Sequence, residues 1–317
     1  MDSKEVFDVM GVTKAELVVV GSLNMDLTAR VERLPSRGET VTANHFQASP
    51  GGKGANQAVA AARLGAHVRM VGRVGRDSYG EALLSSLEAN NVDVSRVLKD
   101  PSSPTGMALI TVDDNGANTI VVVQGANGRC QPEDVEAAEE VISKAKALVV
   151  QLEIPLETVE KALQVAKRHS VATVLNPAPA RRVPEGVLSH VDFLIPNEIE
   201  AAALCGCPVA DPDTALKAGE RLLEMGAGRV IITLGEQGAV FVGPEGGFHV
   251  SAFRVKAVDS TGAGDAISAT VIFALLNDIP LDDAVRLGVS AASLTLHYRG
   301  AVVPDLSLEK LYDQLVI

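Results

Sequence analysis

The residue with the strongest chemical signal is Asp265, which ends a glycine-rich turn in the C-terminal part of the chain. Residues 258–265 (VDSTGAGD) lead from the end of a predicted strand into a predicted helix around residues 266–276. The N–H groups of such a helix start would point out of the turn that Gly262 and Gly264 bracket, and they would bind an anion. A carboxylate beside that anion can take the proton of a hydroxyl group while a phosphoryl group arrives. A simple N-terminal cap is the other interpretation, because acidic residues favour the first helical turn.

Two further glycine clusters are candidates for ligand contact. Residues 50–56 (PGGKGAN) open an alanine-rich helix, where glycines allow the backbone to approach a ligand closely. The cluster is not a P-loop, because no Ser or Thr follows Lys53, and Gln57 stands where a dinucleotide fingerprint needs its third glycine. A tight turn with a helix cap remains the alternative. Residues 233–238 (TLGEQG) follow an apolar strand, the position at which open α/β sheets bind ligands.

Polar side chains also follow predicted strands. Asn24 and Asp26 are two residues apart, which places both side chains on one face of an extended chain, where they could hold neighbouring hydroxyls of a polyol. An Asx turn closing the strand would explain them as well. Glu153 ends another apolar run. Asn197 and Glu200 could hold a hydrated magnesium ion through water, although a solvated helix start explains this pair equally well.

The elements that must position these residues alternate between strand and helix. Apolar β-branched runs followed by segments of helical period predict an α/β fold with a central, mostly parallel sheet flanked by helices on both faces. The predicted strands are 17–21, 68–74, 148–152, 172–175, 193–195 and 230–234. The predicted helices are 55–64, 81–89, 132–146, 156–169 and 214–225.

Four segments interrupt the alternation and predict a small antiparallel β-sheet that projects from the core. The turn at residues 113–116 (DDNG) is a strong hairpin signal. Such a sheet suggests a lid over a cleft, with a surface ribbon of no function as the alternative. We expect one domain over residues 15–317, with lid strands inserted near 27–48 and 105–124, after a loose tail of residues 1–14. The strand segments are 27–32, 40–47, 106–112 and 118–124.

Composition limits the possible partners and compartment. The 317 residues include 28 basic and 40 acidic side chains, a net charge of −12 that disfavours binding to nucleic acid or to an anionic membrane surface. Three cysteines fit a reducing compartment, and the N-terminus does not resemble a signal peptide, so a cytoplasmic location is expected. The absence of Trp and an aromatic content of 3% leave few side chains for stacking on a base.

Taken together, these motifs resemble the ribokinase (pfkB) family of carbohydrate kinases. Residues 51–58 (GGKGANQA) look like the N-terminal signature of that family, and residues 259–265 (DSTGAGD) look like its C-terminal one. The resemblance runs in order from about residue 17 to about residue 303. Shorter similar segments are 24–26, 151–153, 176–180, 196–198 and 233–235.

The resemblance implies ATP-dependent phosphorylation of ribose at its 5-hydroxyl, giving ribose 5-phosphate and ADP. Asp265 would be the general base, and Gly262, Ala263 and Gly264 would form the anion hole. The residues implied to hold the sugar, besides Asp265, are Asn24, Asp26, Gly52, Lys53, Asn56 and Glu153.

The same resemblance implies contacts with ATP, Mg2+ and K+. Asn197 and Glu200 would lie near the magnesium ion, which they would bind through water. The lid sheet would form a homodimer interface. The residues implied to contact ATP are Asn197, Thr233, Leu234, Gly235, Glu236, Gln237, Gly238 and Gly264. The residues implied to surround potassium are Asp259, Thr261, Thr295, Tyr298 and Gly300.

Three alternatives remain at this point. A kinase for another sugar or a nucleoside would share the reaction, and the scarcity of aromatic side chains argues against the nucleoside. A non-catalytic sugar sensor on the same fold would have lost its base, whereas Asp265 and its glycines are present. An NAD-linked dehydrogenase is disfavoured by the missing dinucleotide fingerprint.

Overall fold

A nine-stranded sheet forms the centre of the molecule. The computed structural model describes residues 16–316 except Glu185, Lys256, Ser260 and Arg299. The strand order is β13-β12-β11-β10-β9-β8-β1-β4-β5, parallel from β11 to β5 and antiparallel at β12 and β13. The mostly parallel sheet predicted from the sequence is therefore confirmed. Its strands are β1 (Glu16–Val20), β4 (His67–Gly75), β5 (Val92–Asp100), β8 (Ala147–Gln151), β9 (Ala172–Asn176), β10 (Phe193–Leu194), β11 (Arg229–Thr233), β12 (Ala239–Gly243) and β13 (Gly246–Val250).

Helices cover both faces of this sheet and bury an apolar core on each. Consecutive residues of β1 point to opposite layers: Leu17 and Val19 belong to one core, and Val18 and Val20 belong to the other. Strands buried on both faces read as continuous apolar runs, which is why the sequence predicts them well. The helices are α1 (Lys53–Arg63), α2 (Ser78–Ala89), α3 (Pro132–Ala137), α4 (Glu139–Ile142), α5 (Leu156–Arg168), α6 (Glu198–Cys205), α7 (Pro212–Glu224), α8 (Ala263–Leu276), α9 (Leu281–Thr295) and α10 (Leu308–Val316).

The predicted helix over residues 132–146 is wrong in its extent. The chain forms α3 and α4 instead, with a break at Ala138. Glu136 is one turn away from both Glu139 and Glu140, and like charges at that spacing weaken a continuous helix. Within the residues that the structure describes, no helix is both long enough and apolar enough to cross a membrane.

A separate four-stranded sheet has the order β3-β2-β6-β7 and is called the lid sheet below. The prediction of four antiparallel strands is corrected in three respects. The central pair, β2 and β6, is parallel. β3 begins five residues later than the predicted start at Thr40. β2 begins at Asn24 and ends at Arg30, earlier than the predicted 27–32, because it pairs with β3 and β6 from Asn24 onwards. β-Branched residues near Thr40 favour a strand, but pairing with β2 over its whole length requires β3 to end at Gly51. The strands are β2 (Asn24–Arg30), β3 (His45–Gly51), β6 (Gly106–Val112) and β7 (Asn118–Val123).

Candidate active site

Asp265 lies in the first turn of α8, with its side chain buried at 6% exposure. Its two carboxylate oxygens accept hydrogen bonds from α1, one from Asn56 Nδ2 at 2.9 Å and one from Gln57 Nε2 at 2.9 Å. The residue at the N-cap position of α8 is Gly262, which makes no side-chain capping bond. Asp265 therefore faces the start of α1, which follows the glycine cluster at residues 50–56, instead of capping its own helix.

The N-terminus of α8 is open towards a cleft. The first bond of the helix runs from Ala266 N to Gly262 O at 2.8 Å, so the N–H groups of residues 263–265 precede the helical hydrogen-bond ladder. Gly262 has φ of 79°, and a Cβ there would lie 2.1 Å from Ala301 O. No described atom lies within 4 Å of the position that a Cβ on Gly264 would take. These features leave the N–H groups of the turn free to face an anion, and the anion hole of Gly262, Ala263 and Gly264 stays a prediction.

The cleft has a volume of about 800 Å³, within the range of small-molecule binding sites. It contains five of the eight residues predicted to contact ATP: Thr233, Gly235, Glu236, Gly238 and Gly264. Among the remaining three, Leu234 is buried in the core, and the Gln237 side chain donates to Ala210 O. Asn197 is described below.

Apart from Ala263, which was predicted to belong to the anion hole, the sequence did not single out the other walls of this cleft. Ala252, Phe253 and Arg254 come from the irregular segment after β13, where no periodic pattern marks them. Two small residues of α9, Ala292 and Ser293, also line the cleft, and small side chains on one helix face are a signal that could have indicated it. The remaining residues lining the cleft are Val255, Ala257, Ile267, Val289 and Leu296.

Lys53 lies among carboxylates that come from four different elements. Burial acts to lower the pKa of its ammonium group, but the surrounding negative charge outweighs burial, and the pKa lies above its ordinary value. A lysine so surrounded keeps its positive charge. The carboxylates responsible are those of Asp265, Glu153, Glu200 and Asp26.

Asp26 is strongly affected by this crowding. Burial, followed by the negative charges of Glu153 and Asp265, raises the pKa of Asp26 to about 7, against the opposing effect of Lys53. Asp26 and Asn24 lie on the same face of β2, as their spacing predicts. Neither residue closes an Asx turn, because both pair along the strand with β3 and β6.

Asn24 is held by a residue that the sequence did not single out. Asn127, in a 3-10 helix just after the lid sheet, donates from Nδ2 to Asn24 Oδ1 at 2.7 Å. The same amide exchanges hydrogen bonds with the backbone of Leu23, at 2.9 Å and 3.0 Å. The orientation of the Asn24 amide is thereby fixed. Sequence separation of 103 residues hides this contact from any local pattern.

Glu153 connects the end of β8 with the start of α1. Its Oε2 accepts hydrogen bonds from Ser22 Oγ at 2.5 Å and from Lys53 N at 3.1 Å. Gly52, the N-cap of α1, has φ of 91°, and a Cβ there would lie 2.6 Å from Asn24 N. The first turn of α1 is thus pressed against the strand ends that carry Asn24 and Glu153.

Asn197 and Glu200 form a capping box at the start of α6. Glu200 accepts from Asn197 N at 2.9 Å and from Asn197 Nδ2 at 3.0 Å, and Glu200 N donates to Asn197 Oδ1 at 2.8 Å. The solvated helix start considered for this pair is wrong for Glu200, which is buried, and burial raises its pKa. The magnesium role of the pair stays a prediction.

The residues predicted to surround potassium come together beside the N-terminus of α8. The Asp259 carboxylate accepts from Gly300 N at 3.0 Å, from Thr261 N at 2.9 Å and from Thr261 Oγ1 at 2.7 Å. These donors outweigh burial and hold the pKa of Asp259 below its ordinary value. Tyr298 N donates to Thr295 O at 3.1 Å in the adjoining turn. Within the described part of the chain, no three or more His, Cys, Asp or Glu side chains cluster as metal ligands.

Comparison with known proteins gives the class that this fold and site define. Residues 14–307 match the family described as pfkB family carbohydrate kinase, and the chain belongs to that family. The chain is 39% identical to a ribokinase of Staphylococcus aureus over 298 residues, covering 93% of this chain and 98% of that protein. It is 36% identical to a deoxyribokinase of Salmonella typhimurium over 301 residues, covering 95% and 98%. The Arabidopsis thaliana ribokinase complexed with ribose and ATP superimposes with a TM-score of 0.89 at 30% identity, covering 96% of this chain and all of that one (100%).

Proposed function

We propose that this carbohydrate kinase transfers the γ-phosphoryl group of ATP to the 5-hydroxyl of ribose, giving ribose 5-phosphate and ADP. One observation carries the proposal. A buried carboxylate, Asp265, occupies the first turn of the helix whose open N-terminus lines the 800 Å³ cleft. A base beside an anion site, next to a cleft within the range of small-molecule binding sites, is the arrangement that phosphoryl transfer to an alcohol requires.

Each group has a separate task in this reaction. Asp265 takes the proton of the sugar hydroxyl as the oxygen bonds to phosphorus. The N–H groups of Ala263 and Gly264 stabilise the negative charge on the phosphoryl oxygens in the transition state, where the helix dipole adds to their effect. Thr233, Gly235 and Glu236 are assigned to the nucleotide, because they line the cleft that begins at Gly264.

The sugar is assigned to the side of Asp265 that faces the lid sheet. Asn24 and Asp26 reach this side from β2, and Lys53 and Asn56 reach it from the start of α1. Carboxylate and amide groups on rigid elements can hold several hydroxyls in a fixed geometry, which suits a polyol without aromatic stacking. Glu153 completes the set through its bond to the Lys53 backbone.

The residues present fit both predicted cations. Potassium would lie between the Asp259 carboxylate and the backbone carbonyls of Thr295, Tyr298 and Gly300, because carboxylate and carbonyl oxygens are hard donors and Gly300 is bonded to Asp259. Magnesium would lie near Glu200, whose buried carboxylate can bind it through water. When bound, Mg2+ neutralises charge on the phosphate chain of ATP. The Lys53 ammonium contributes positive charge to the same region.

A second substrate, 2-deoxyribose, is favoured by one observation. The deoxyribokinase of Salmonella typhimurium is nearly as similar to this chain as the Staphylococcus aureus ribokinase is, 36% against 39% identity. The two sugars differ by one hydroxyl. A site that hydrogen-bonds the 2-hydroxyl would reject the deoxy sugar strongly, and a site that does not would accept both.

A coupled assay of ADP release tests the function. Purified protein would be given ribose, 2-deoxyribose, fructose and nucleosides, each with MgATP and with or without K+. We expect ribose to give the highest kcat/KM and K+ to raise the rate. The variant Asp265→Ala should lower kcat by roughly two to four orders of magnitude while the circular dichroism spectrum is unchanged.

Two results would contradict the proposal. Ribose binding measured by calorimetry, together with no ADP release by the unmodified protein, would favour a non-catalytic sensor. Near-normal turnover by Asp265→Ala would remove Asp265 from the role of base.

We also propose a homodimer formed by the lid sheet and a cytoplasmic location. Exposed apolar side chains on the lid sheet support the dimer, among them Phe46 at 62% exposure and Val121 at 61%. The three cysteines, Cys130, Cys205 and Cys207, are free thiols, which supports a reducing compartment.

A further inference from the structure

A row of buried amide side chains leads away from Asp265 into the protein. Gln57 Nε2 donates to Asp265 Oδ1 at 2.9 Å, and Gln151 Nε2 donates to Gln57 Oε1 at 2.7 Å. A weaker contact of 3.4 Å runs from Gln57 Nε2 to Asn176 Oδ1. Gln57 and Gln151 are 1% and 0% exposed, so water does not compete for these groups. None of these three amides has a task in the reaction as proposed above.

The row has a fixed polarity that ends on the carboxylate. If the Gln57 amide turned over, its oxygen would face the Asp265 oxygen at hydrogen-bond distance, and its nitrogen would face the nitrogen of Gln151. Both pairs are repulsive, so the bonds to Asp265 and to Gln151 together hold Gln57 with its N–H group towards Asp265. Asn176 is anchored in turn, because its Nδ2 donates to Ile195 O at 2.8 Å.

The far end of the row leaves one oxygen without a partner. Gln151 Oε1 is buried and accepts no hydrogen bond within the described residues. A Cβ on Gly21 would lie 2.0 Å from this oxygen, so the end of β1 closes tightly over it. A buried orphaned acceptor is unfavourable for stability. The cost of this unpaired oxygen indicates that the Gln151 amide is retained for its nitrogen, which donates the bond to Gln57.

We propose that Gln57, oriented by Gln151, is a positioning residue that keeps the Asp265 carboxylate ionised and aimed at the sugar hydroxyl. This inference rests on the proposed kinase function, in which Asp265 must accept a proton. Gln57 itself touches neither substrate in this assignment; it acts through Asp265.

The charges around Asp265 explain why such support is needed. Burial raises the pKa of Asp265, whereas Lys53 and the two amide donors of α1 act to lower it. Three other acids face the same space: Glu153 from the end of β8, Asp26 from β2 and Glu200 from α6. With one lysine among four carboxylates, neutral N–H donors supply stabilisation that adds no further charge.

The test is the dependence of kcat on pH at saturating ribose and MgATP. In Gln57→Met, which preserves size and removes the donor, the acid limb should move to higher pH by about one unit or more. At alkaline pH, kcat should recover towards that of the unmodified protein. A merely structural defect would lower kcat by the same factor at every pH.

A second variant acts without touching Asp265. Gln151→Met removes the bond that orients Gln57, and the acid limb should move in the same direction by a smaller amount. This variant should fold, because the number of unpaired buried oxygens does not change. The unpaired Gln151 oxygen is removed, and the Gln57 oxygen loses its donor. Asn277→Ala is the matched control, since Asn277 lies at the far end of α8 and also has a buried, unpaired side-chain oxygen. Its acid limb should not move.

The outcomes separate this inference from the proposed function. No turnover by the unmodified protein would overturn the kinase function. Turnover with unmoved acid limbs in both Gln57→Met and Gln151→Met would overturn the positioning role alone. A 13C NMR titration of the Asp265 carboxyl group reads the same shift without any need for activity, and an unchanged titration in Gln57→Met would also contradict the role.

Discussion

Asp26 has a charge that depends on pH near neutrality, with consequences for both stability and binding. Its pKa in the folded chain is about 7, above its ordinary value of 3.8, because of burial and the neighbouring acids. The folded chain therefore binds more protons than the unfolded chain between these two pH values. Stability contributed by protonated Asp26 is present at low pH and is lost as the pH rises through about 7. Above that pH the folded state bears a buried charge that a sugar ligand can compensate.

We expect Asp26→Asn to separate the two effects. At pH 8 the variant should be more stable than the unmodified protein by about 1 kcal/mol or more, since it removes an unfavourable charge. At pH 5 the difference should be smaller, because the folded carboxyl is protonated there, and it should vanish only below the ordinary pKa of 3.8, where the unfolded carboxyl is protonated as well. The KM for ribose should rise much more than the KM for ATP, because an amide cannot replace the carboxylate as a double acceptor. Thermal unfolding at the two pH values and initial-rate kinetics provide the measurements; equal changes in both KM values would contradict the sugar assignment.

At this scale the sequence predicts partners only where they are local. Asn24 and Asp26 share a face because strand periodicity is two, and that part of the site could be predicted. The amides that hold Asn24 and Asp265 could not, because Asn127 is 103 residues from Asn24 and Gln57 is 208 residues from Asp265. The sequence does not show whether an Asn or Gln side chain is buried or exposed, and only the fold distinguishes the two cases.

The glycine turn before α8 is the element on which the anion site depends, and its two glycines should respond differently to substitution. Gly262→Ala places a Cβ against Ala301 O in a backbone with φ of 79°, so it should destabilise the protein by about 2 kcal/mol or more. Gly264→Ala meets no described atom and should leave stability unchanged or slightly raised.

Gly264→Ala, the more stable of the two variants, should nevertheless lose activity. The Cβ of Gly264→Ala would project into space assigned to phosphate, so kcat/KM for ATP should fall by about tenfold or more in a fully folded protein. Denaturant unfolding and steady-state kinetics of both variants provide the comparison. A fully active Gly264→Ala would show that phosphate does not approach this turn.

Two of the strands that the sequence missed share physical features, whereas a third, β12, is a fully buried apolar strand that the prediction omitted. β5 and β13 are partly exposed edge strands, and their alternating or glycine-containing segments lack the continuous apolar run that identified the central strands. β3 was misplaced because the β-branched residues at 40–42 favour a strand, whereas the length of β2 decides the pairing. Register is a property of two segments, so one segment alone does not determine it.

Across the whole molecule, the site forms where two helices of one layer, packed against each other, meet the lid sheet. The start of α1 contributes Lys53, the start of α8 contributes Asp265, and the lid sheet contributes Asp26. The order of motifs along the chain allowed the layers and the lid to be predicted. The parallel pairing of β2 with β6 was not predicted, because their hairpin-like neighbours suggested antiparallel strands throughout.

The outer face of the lid sheet is the surface on which the proposed dimer depends. Pairing places Leu27, Leu109 and Val121 side by side across three strands, and Phe46 lies on the same face. Leu109 is 44% exposed and Val121 is 61% exposed, so this face presents apolar side chains to solvent in the single chain. A contiguous apolar face of this kind is typical of an interface between proteins.

We expect Val121→Asp to convert a dimer into a monomer, because a charge at the centre of an apolar interface cannot be paired there. Light scattering coupled to size-exclusion chromatography gives the mass directly. Met225→Asp is the matched control, since Met225 is 42% exposed beyond the end of α7 and remote from the lid sheet in the chain. If the unmodified protein is a monomer, the proposed dimer does not exist. If the dimer survives Val121→Asp, its interface lies elsewhere. If the dimer also steadies the lid over Asp26, the monomer should show a higher KM for ribose with little change in the KM for ATP.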